Sequence, residues 1–337
     1  MKTFKKFVAS ILALALSISL VACSDTNSSS SNESTTKKLT IGVIQFATHP
    51  SLDNCYNGLV EGLKSAGYVD GDNITIDFKN AQGDTATGDQ IANNMVASNY
   101  DMIVGIATPS AMSAYGAAKG EIPVVFCAVS DPVSAQLVNS LELSGVNCTG
   151  SSDKLNLKAQ LEMIRAFQPD AKKIGIIYNT AEANSLSQLN TIKELAPEYG
   201  FEIVASGVQA AADIPATATS LADKVDCINN FTDNLVVDNL QVVIERATAV
   251  GIPVYGSEIE QVNNGCLASE SLDYVDLGKQ TGTLASEILS GKNAAETSVV
   301  VVDSSFPVYN SDVASSLGIT IPDSYSNAEV VTNTATK

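Results

Sequence analysis

From Leu39 onward, short apolar runs alternate with stretches whose apolar positions recur every three to four residues. The run LTIGVIQF (39–46) reads as a strand. Leu52, Tyr56, Leu59, Val60 and Leu63 follow it at i, i+4, i+7, i+8 and i+11, the stripe of an amphipathic helix. NITIDFKN is the next strand and TGDQIANNMVASN the next helix. DMIVGIA, a helix opening at Pro109, and IPVVFCAV continue the series. After Asp153 the cycle restarts, with strands predicted at KKIGIIYN (172–179), FEIVASGV (201–208), VDCINNF (225–231) and IPVYGSE (252–258), and helices between them. Alternation of this kind predicts an α/β fold of parallel sheets joined by crossover helices.

The two series have similar length and share an internal likeness. YDMIVGIATPSA…EIPVVFCAVSDP matches KVDCINNFTDNL…GIPVYGSEIE in order and nearly in spacing. Two Rossmann-like lobes follow. A late helix carrying Leu277, Thr281, Leu284, Ile288 and Leu289 on one face has no strand before it in its own half. It precedes SVVVVD (298–303) and a helix-like NSDVASSLG. These end segments are expected to cross back between lobes, near Thr149–Asp153, Ser269–Asp273 and Asp303–Phe306, as a three-strand hinge. The expected division is 39–150 with 273–302 for lobe 1, 151–272 with 303–325 for lobe 2, and a polar tail at 326–337.

In open parallel sheets, ligands bind at the carboxyl ends of the strands. Those ends here carry Gln45-Phe46, Thr108-Pro109-Ser110, Ser130-Asp131, Asn179-Thr180, Phe231-Thr232-Asp233-Asn234 and Ser257-Glu258. At the second of these, Thr108 is placed to cap a helix, and Pro109 suits the first helical position, where no N–H is needed. The free N–H groups of Ser110 and Ala111, with the helix dipole, suit a carboxylate. Thr-Pro is also simply a good helix start. At the equivalent place in the second half stands Asp233. If the lobes face each other, a neutral anion-binding helix end opposes an acidic one. A zwitterion fits that pair, its carboxylate on lobe 1 and its ammonium on Asp233. Asn184 and Ser185 open another helix, either as ligand partners or as caps. His49, the one histidine of the chain, is expected to fix its loop.

The N-terminus adds a compartment. Lys2, Lys5 and Lys6 precede an apolar run, Phe7–Val21, too short to span a bilayer comfortably, and Leu20-Val21-Ala22-Cys23 follows. The ending resembles a bacterial lipobox, which implies cleavage of a signal peptide (1–22) and lipidation of Cys23. Residues 23–38 then form a Ser-rich tether whose ~15 residues reach on the order of 20 Å. The formal charge of −18, from 19 Lys and Arg against 37 Asp and Glu, argues against nucleic acid or anionic lipid as partners. Beyond Cys23 there are five cysteines with no paired spacing, read as small buried hydrophobes rather than disulfides or a metal site. No metal and no cofactor is expected.

IGVIQFATHPSLDNCYNGLVEGLKSAGY, NAQGD, IATPSA, VSDPV, YNTAEANS, TDN and DYVDLGKQTG, in that order over about Leu39–Pro322, resemble the ABC transporter substrate-binding lipoproteins of the tryptophan/tyrosine-uptake type. The resemblance implies a type I periplasmic-binding-protein fold and a monomer anchored on the outer face of the cell membrane. It also implies closure around an aromatic or other apolar L-amino acid and delivery to a permease and ATPase. Carried over residue by residue, Thr108, Ser110, Ser130 and Asp131 would meet the ligand's backbone groups from lobe 1, and Asn184, Ser185 and Asp233 from lobe 2. Phe46, Tyr178 and Phe231 would pack its ring. The polar INNF before Thr232 departs from the family, which more usually enters Thr-Asp through an apolar residue and Pro. Two other readings stay open: a membrane-tethered sensory protein for another small polar solute, and an exported Rossmann-like enzyme. The enzyme lacks sequence support, with no G-x-G-x-x-G, Walker A or G-x-S-x-G motif.

Overall fold

The computed structural model describes residues 38–302 and 304–332. The signal-like segment, Cys23 and nearly all of the tether lie outside the described residues. The first half runs β1 (Leu39–Gln45), α1 (Pro50–Ser65), β2 (Ile74–Asn80), α2 (Thr85–Ala97), β3 (Met102–Ile106), α3 (Thr108–Ala118), β4 (Val124–Cys127) and β5 (Cys148–Ser152). The second runs α4 (Leu157–Phe167), β6 (Lys173–Asn179), α5 (Ala183–Leu195), β7 (Glu202–Val208), α6 (Ile214–Ala222), β8 (Cys227–Asn229), α7 (Asn234–Asp238), α8 (Leu240–Ala249), β9 (Val254–Tyr255), α9 (Ile259–Asn263) and β10 (Ala268–Ser271). The closing elements are α10 (Tyr274–Leu289), β11 (Val300–Val301), β12 (Phe306–Asn310), α11 (Ser311–Ser316) and β13 (Glu329–Val331).

One sheet has the order β11-β5-β4-β3-β1-β2, with every pair parallel. Its strands are apolar on both faces because both faces are covered. Ile41, Val43, Val104 and Ile106 point toward α1 and α10, while Ile44, Ile103, Val124 and Phe126 point toward α2 and α3. The other lobe holds the parallel sheet β7-β6-β8-β9. The bonds Leu267 N–H to Val254 O and Gly256 N–H to Ala268 O join it to a second sheet, β10-β12-β13. The chain therefore passes between lobes after β5, after β10 and after β11.

Strands β5, β10, β12 and β13 escaped the hydrophobic pattern. β5 (CTGSS) and β10 (ASES) are fully buried yet made of small polar residues, so neither reads as an apolar run. Their hydroxyls find partners inside: Ser151 Oγ meets Thr281 Oγ1 at 2.5 Å, and Ser269 meets Ser271 at 2.5 Å. β13 lies in the stretch read as a polar tail, where Glu329–Val331 adds to β12 in parallel register. The chain leading to it is held by Tyr325, whose ring packs 5.3 Å from that of Phe167. Residues 333–337 lie outside the described residues.

α1 and α10 set the depth of the first lobe. Gly58 and Gly62 on α1 face Gly278 and Gly282 on α10, and a Cβ on Gly62 would stand 2.3 Å from Lys279 O and 3.0 Å from Gly282 Cα. Only glycine permits this backbone-to-backbone approach. The two helices start at the same end of the lobe, so their contact fixes how His49–Leu52 and Tyr274 project from it. Overpacking of this kind costs about 1–3 kcal/mol, with backbone as the obstacle. Gly62→Val is expected to lower the unfolding free energy by at least about 2 kcal/mol in urea denaturation. An unchanged midpoint would show that the helices can part freely.

Candidate functional site

The strand ends of the two lobes line a common cavity. Lobe 1 contributes His49, Ser51, Leu52, Ala107, Thr108, Ala128 and Ser130. Asp153 and Tyr274 enter from the passages, and Asn184, Thr232, Asn234, Val237 and Glu258 come from lobe 2.

Two alanines bend the lobe 1 wall. Ala107 at the end of β3 has φ 74°, and Ala128 at the end of β4 has φ 56°. The left-handed region costs a residue with a Cβ on the order of 1 kcal/mol or more. Ala107, not Thr108, is the N-cap of α3, and it accepts from Ala111 N–H at 3.0 Å. The expected free amide of Ala111 is thus already used, because the helix begins one residue earlier than the Thr-Pro signal suggests. Displaced from the cap, Thr108 Oγ1 is buried without a partner, as is Ser110 Oγ one residue beyond Pro109. Neutral hydroxyls and the first amides of α3 are what this wall offers a ligand anion.

Facing them are acids. Asp153 is buried, accepting from Ser130 Oγ at 3.0 Å and from Tyr274 OH at 2.9 Å. Desolvation pushes its pKa up against these two donors. Glu258 is buried too, and loss of water, with the Asp153 charge adding, raises it to about 7, while Ser51 and Gln261 pull the other way. The ion pairs found among the described residues are surface pairs, and none includes Asp153 or Glu258. Two carboxyls thus share one cavity with no cation.

Asp233, expected as the ammonium partner, is placed otherwise. Its carboxylate caps α7 through Val236 N–H at 3.0 Å and accepts from Asn179 N–H at 2.5 Å and Ser185 Oγ at 2.7 Å. The residue is wholly buried behind the cavity wall. Desolvation first, and the neighbouring Glu182 charge second, raise it to about 7. Ser185 is spent on this brace rather than on a ligand. Glu182 gathers the amides of Asn234, Leu235, Asn179 and Asn184, pinning the start of α7 to that of α5.

The remaining expected residues divide. Thr108, Ser130, Asn184 and Glu258 line the cavity. Gln45 lies beneath it, donating to Ala47 O at 2.8 Å and Asp53 Oδ1 at 2.7 Å, and so orients the entry to α1. Asp131 sits outside, accepting from Ser134 and, across the lobes, from Ser187 Oγ at 2.5 Å. Phe46 and Phe231 complete the cores of their lobes, and Tyr178 is half-buried against the second core. Strand-end aromatics that alternate onto a covered face serve packing, and among the described Phe and Tyr side chains Tyr274 lines the cavity. The INNF departure has a structural reason. Asn229 accepts from Gln160 at 2.8 Å, and Asn230 donates to Gln261 at 3.0 Å, tying β8 to α4 and α9. Asp153, Tyr274 and Val237 escaped the sequence reading, Thr232 and Asn234 were noted only as part of a strand end, and His49, read as a loop-fixing residue, is a lining residue.

The lobes are drawn together. Asn54 donates to Glu260 at 2.6 Å, and Gln188 Nε2 spans Ser130 Oγ (2.9 Å) and Thr232 Oγ1 (2.7 Å). The five cysteines of the described part are free and buried, and burial raises those at 148, 227 and 266.

Residues 40–331 match the model of the ABC transporter substrate binding protein family. The chain belongs to that family. This substrate-binding protein is 40% identical over 319 residues to a tyrosine-binding protein of Clostridioides difficile, covering 93% of this chain and 92% of the relative. It also resembles the ABC domain of Streptococcus pneumoniae in complex with L-Trp, at 36% identity and TM-score 0.85, over 87% of this chain and all of the other. The ligand-free, open structure of a Clostridium difficile substrate-binding protein with adhesive properties is 38% identical with TM-score 0.68, over 88% and 99%. At near-equal identity, the tryptophan complex superposes better than the open form, in keeping with the bonds that draw the lobes together here.

Two outcomes follow for this substrate-binding protein without ligand. Asp233→Ala removes a cap and two further bonds, and is expected to lower stability by about 2 kcal/mol in chemical denaturation. An unchanged midpoint would remove Asp233 from the brace. The raised pKa values of Asp233, Glu258 and Glu260, each about 7, mean that the folded protein favours their neutral forms. That stabilising contribution is complete below the ordinary carboxylate range and is lost as pH rises through about 7. Asp77, Asp84 and Asp131 are held low, so their losses come at lower pH. The calorimetric melting temperature should therefore be higher at pH 5.5 than at pH 8. The opposite order would contradict the burial of uncompensated carboxyls.

Proposed function

We propose that this chain is the extracytoplasmic solute receptor of an ABC importer and binds one aromatic L-amino acid in the cleft between its lobes. The observation that carries the reading is the polarity of the cavity: unpartnered hydroxyls at the start of α3 on one wall, and two buried carboxyls without a cation on the others. A zwitterion satisfies both. The α-carboxylate takes Thr108 Oγ1 and the first amides of α3, with Ser110 supporting, and the ammonium takes Asp153 and Glu258 in place of the expected Asp233. Asn184 and Ser130 supply further polar contacts. Leu52, Val237, Ala107 and Tyr274 give the side chain an apolar bed.

The relatives that bear the names of tyrosine and tryptophan support the aromatic class. Family membership supports a binding protein rather than an enzyme, with a permease and ATPase as partners. No helix of the described residues is long and apolar enough to cross a membrane. The lipidated Cys23 and its tether would then hold a monomer at the outer face, and closure would turn on the three passages between lobes.

Calorimetric titration with the twenty L-amino acids should give binding to tyrosine or tryptophan and none to their N-acetyl forms, which carry no ammonium. Asp153→Asn should weaken binding at least about tenfold, since a charged hydrogen bond of about 1.5–3 kcal/mol is lost. Because the ligand's ammonium favours ionised Glu258, affinity should fall as pH drops from 8 through 7 to 5.5. Binding of N-acetyltyrosine as tight as that of tyrosine would overturn the zwitterion reading.

A further inference from the structure

His49 stands at the N-cap of α1, and its ring lines both the cavity and the groove outside it. Although the residue is part-exposed, its Nδ1 is sealed from water and has no partner. The tautomer follows from its neighbours. Asn234 Nδ2 donates to Glu182 at 2.6 Å, and a carboxylate only accepts. Asn234 Oδ1 is therefore the atom turned to His49 Nε2, at 3.3 Å across the lobes. An amide oxygen cannot donate, so Nε2 carries the proton and Nδ1 is left as a bare acceptor. Burial lowers the pKa of the ring, in spite of Asp238, Asp53 and Glu182 around it, which keeps it neutral.

Leu52 and Val237 line the same cavity as this ring, whereas the Asp153–Ser130–Tyr274 group carries its own hydrogen bonds. Resting on the amino-acid reading above, we infer that His49 Nδ1 selects among aromatic ligands by accepting a hydrogen bond from a donor on the ligand's side chain, a phenol O–H or an indole N–H. Phenylalanine fills the same bed but leaves the acceptor buried and unpaired. A site built for a hydrogen bond rejects such an analogue more strongly than apolar packing alone would.

The test is calorimetric titration of the native protein and of His49→Phe with L-tyrosine, L-tryptophan, L-phenylalanine and 1-methyl-L-tryptophan, which lacks the indole N–H. The native protein should bind its preferred donor-bearing ligand at least about tenfold more tightly than that ligand's donor-less counterpart. His49→Phe should abolish the difference between donor-bearing and donor-less ligands, and His49→Gln, which keeps an acceptor, should restore part of it. Native protein that binds phenylalanine as tightly as tyrosine, and 1-methyltryptophan as tightly as tryptophan, overturns the inference without recourse to a variant. So does a His49→Phe protein that weakens all four ligands by one factor, since that marks an ammonium contact or a packing role. Failure of the native protein to bind any of the twenty amino acids would instead overturn the functional reading, and this inference with it.

Discussion

Everything at the centre of this molecule turns on two carboxyls held out of water with no positive charge beside them. Moving an ionised carboxylate from water into a protein interior is costly unless a partner compensates it. Asp153 has only neutral donors, Ser130 and Tyr274, and Glu258 has Gln261. On the proposed reading, closing the lobes around these acids without a ligand carries an electrostatic penalty. A ligand that brings an ammonium removes that penalty, and one that also brings a carboxylate satisfies the orphan hydroxyl of Thr108 on the facing wall. On the proposed reading, selectivity for a zwitterion and closure around it have one cause. A ligand moves an equilibrium only by its differential interaction with the two states, and here the difference resides in these acids.

The rest of the structure keeps the acids and hydroxyls where they must be. The glycine contact of α1 and α10 joins two helices that both begin at the cleft, so His49–Leu52 and Tyr274 project as one rigid group. On the other lobe, Asp233 and Glu182 collect the free amides of α7 and bind α7 to β6 and α5. This supports Asn184, Thr232 and Asn234 from behind. Residues with no expected contact to ligand are thus among the most heavily bonded in the fold. The backbone strain at Ala107 and Ala128 falls on the cavity wall, where a strained turn lets the chain approach a small ligand closely.

The fold was legible wherever burial is apolar. Strands covered on both faces appear as unbroken runs such as DMIVGIA, and helices such as α1 and α10 show their stripes. Legibility failed at β5 and β10, where buried positions are filled by Ser and Thr that satisfy one another, and composition there imitates a loop. At the cleft, the strand-end rule pointed to Thr108, Ser130, Asn184 and Glu258, which line the cavity. Asp233 is placed as the cap of α7, and an acid at a helix start has two uses, cap and ligand partner, that local sequence does not distinguish. Asp153 and Tyr274 were missed because they come from passages between lobes, and only the folded topology brings them to the strand ends. Phe46 and Phe231 were misread for a similar reason, since alternation at a strand's last residue decides whether a ring meets the core or the cleft.

The central claim, that a ligand ammonium compensates the buried acids, is tested most directly by a crystal structure of the protein with bound L-tyrosine or L-tryptophan. The account predicts the ammonium nitrogen within about 3 Å of a carboxylate oxygen of Asp153 or Glu258, and the ligand carboxylate on Thr108 at the start of α3. An ammonium seated on Asp233, with Asp153 and Glu258 left unpaired, would contradict it.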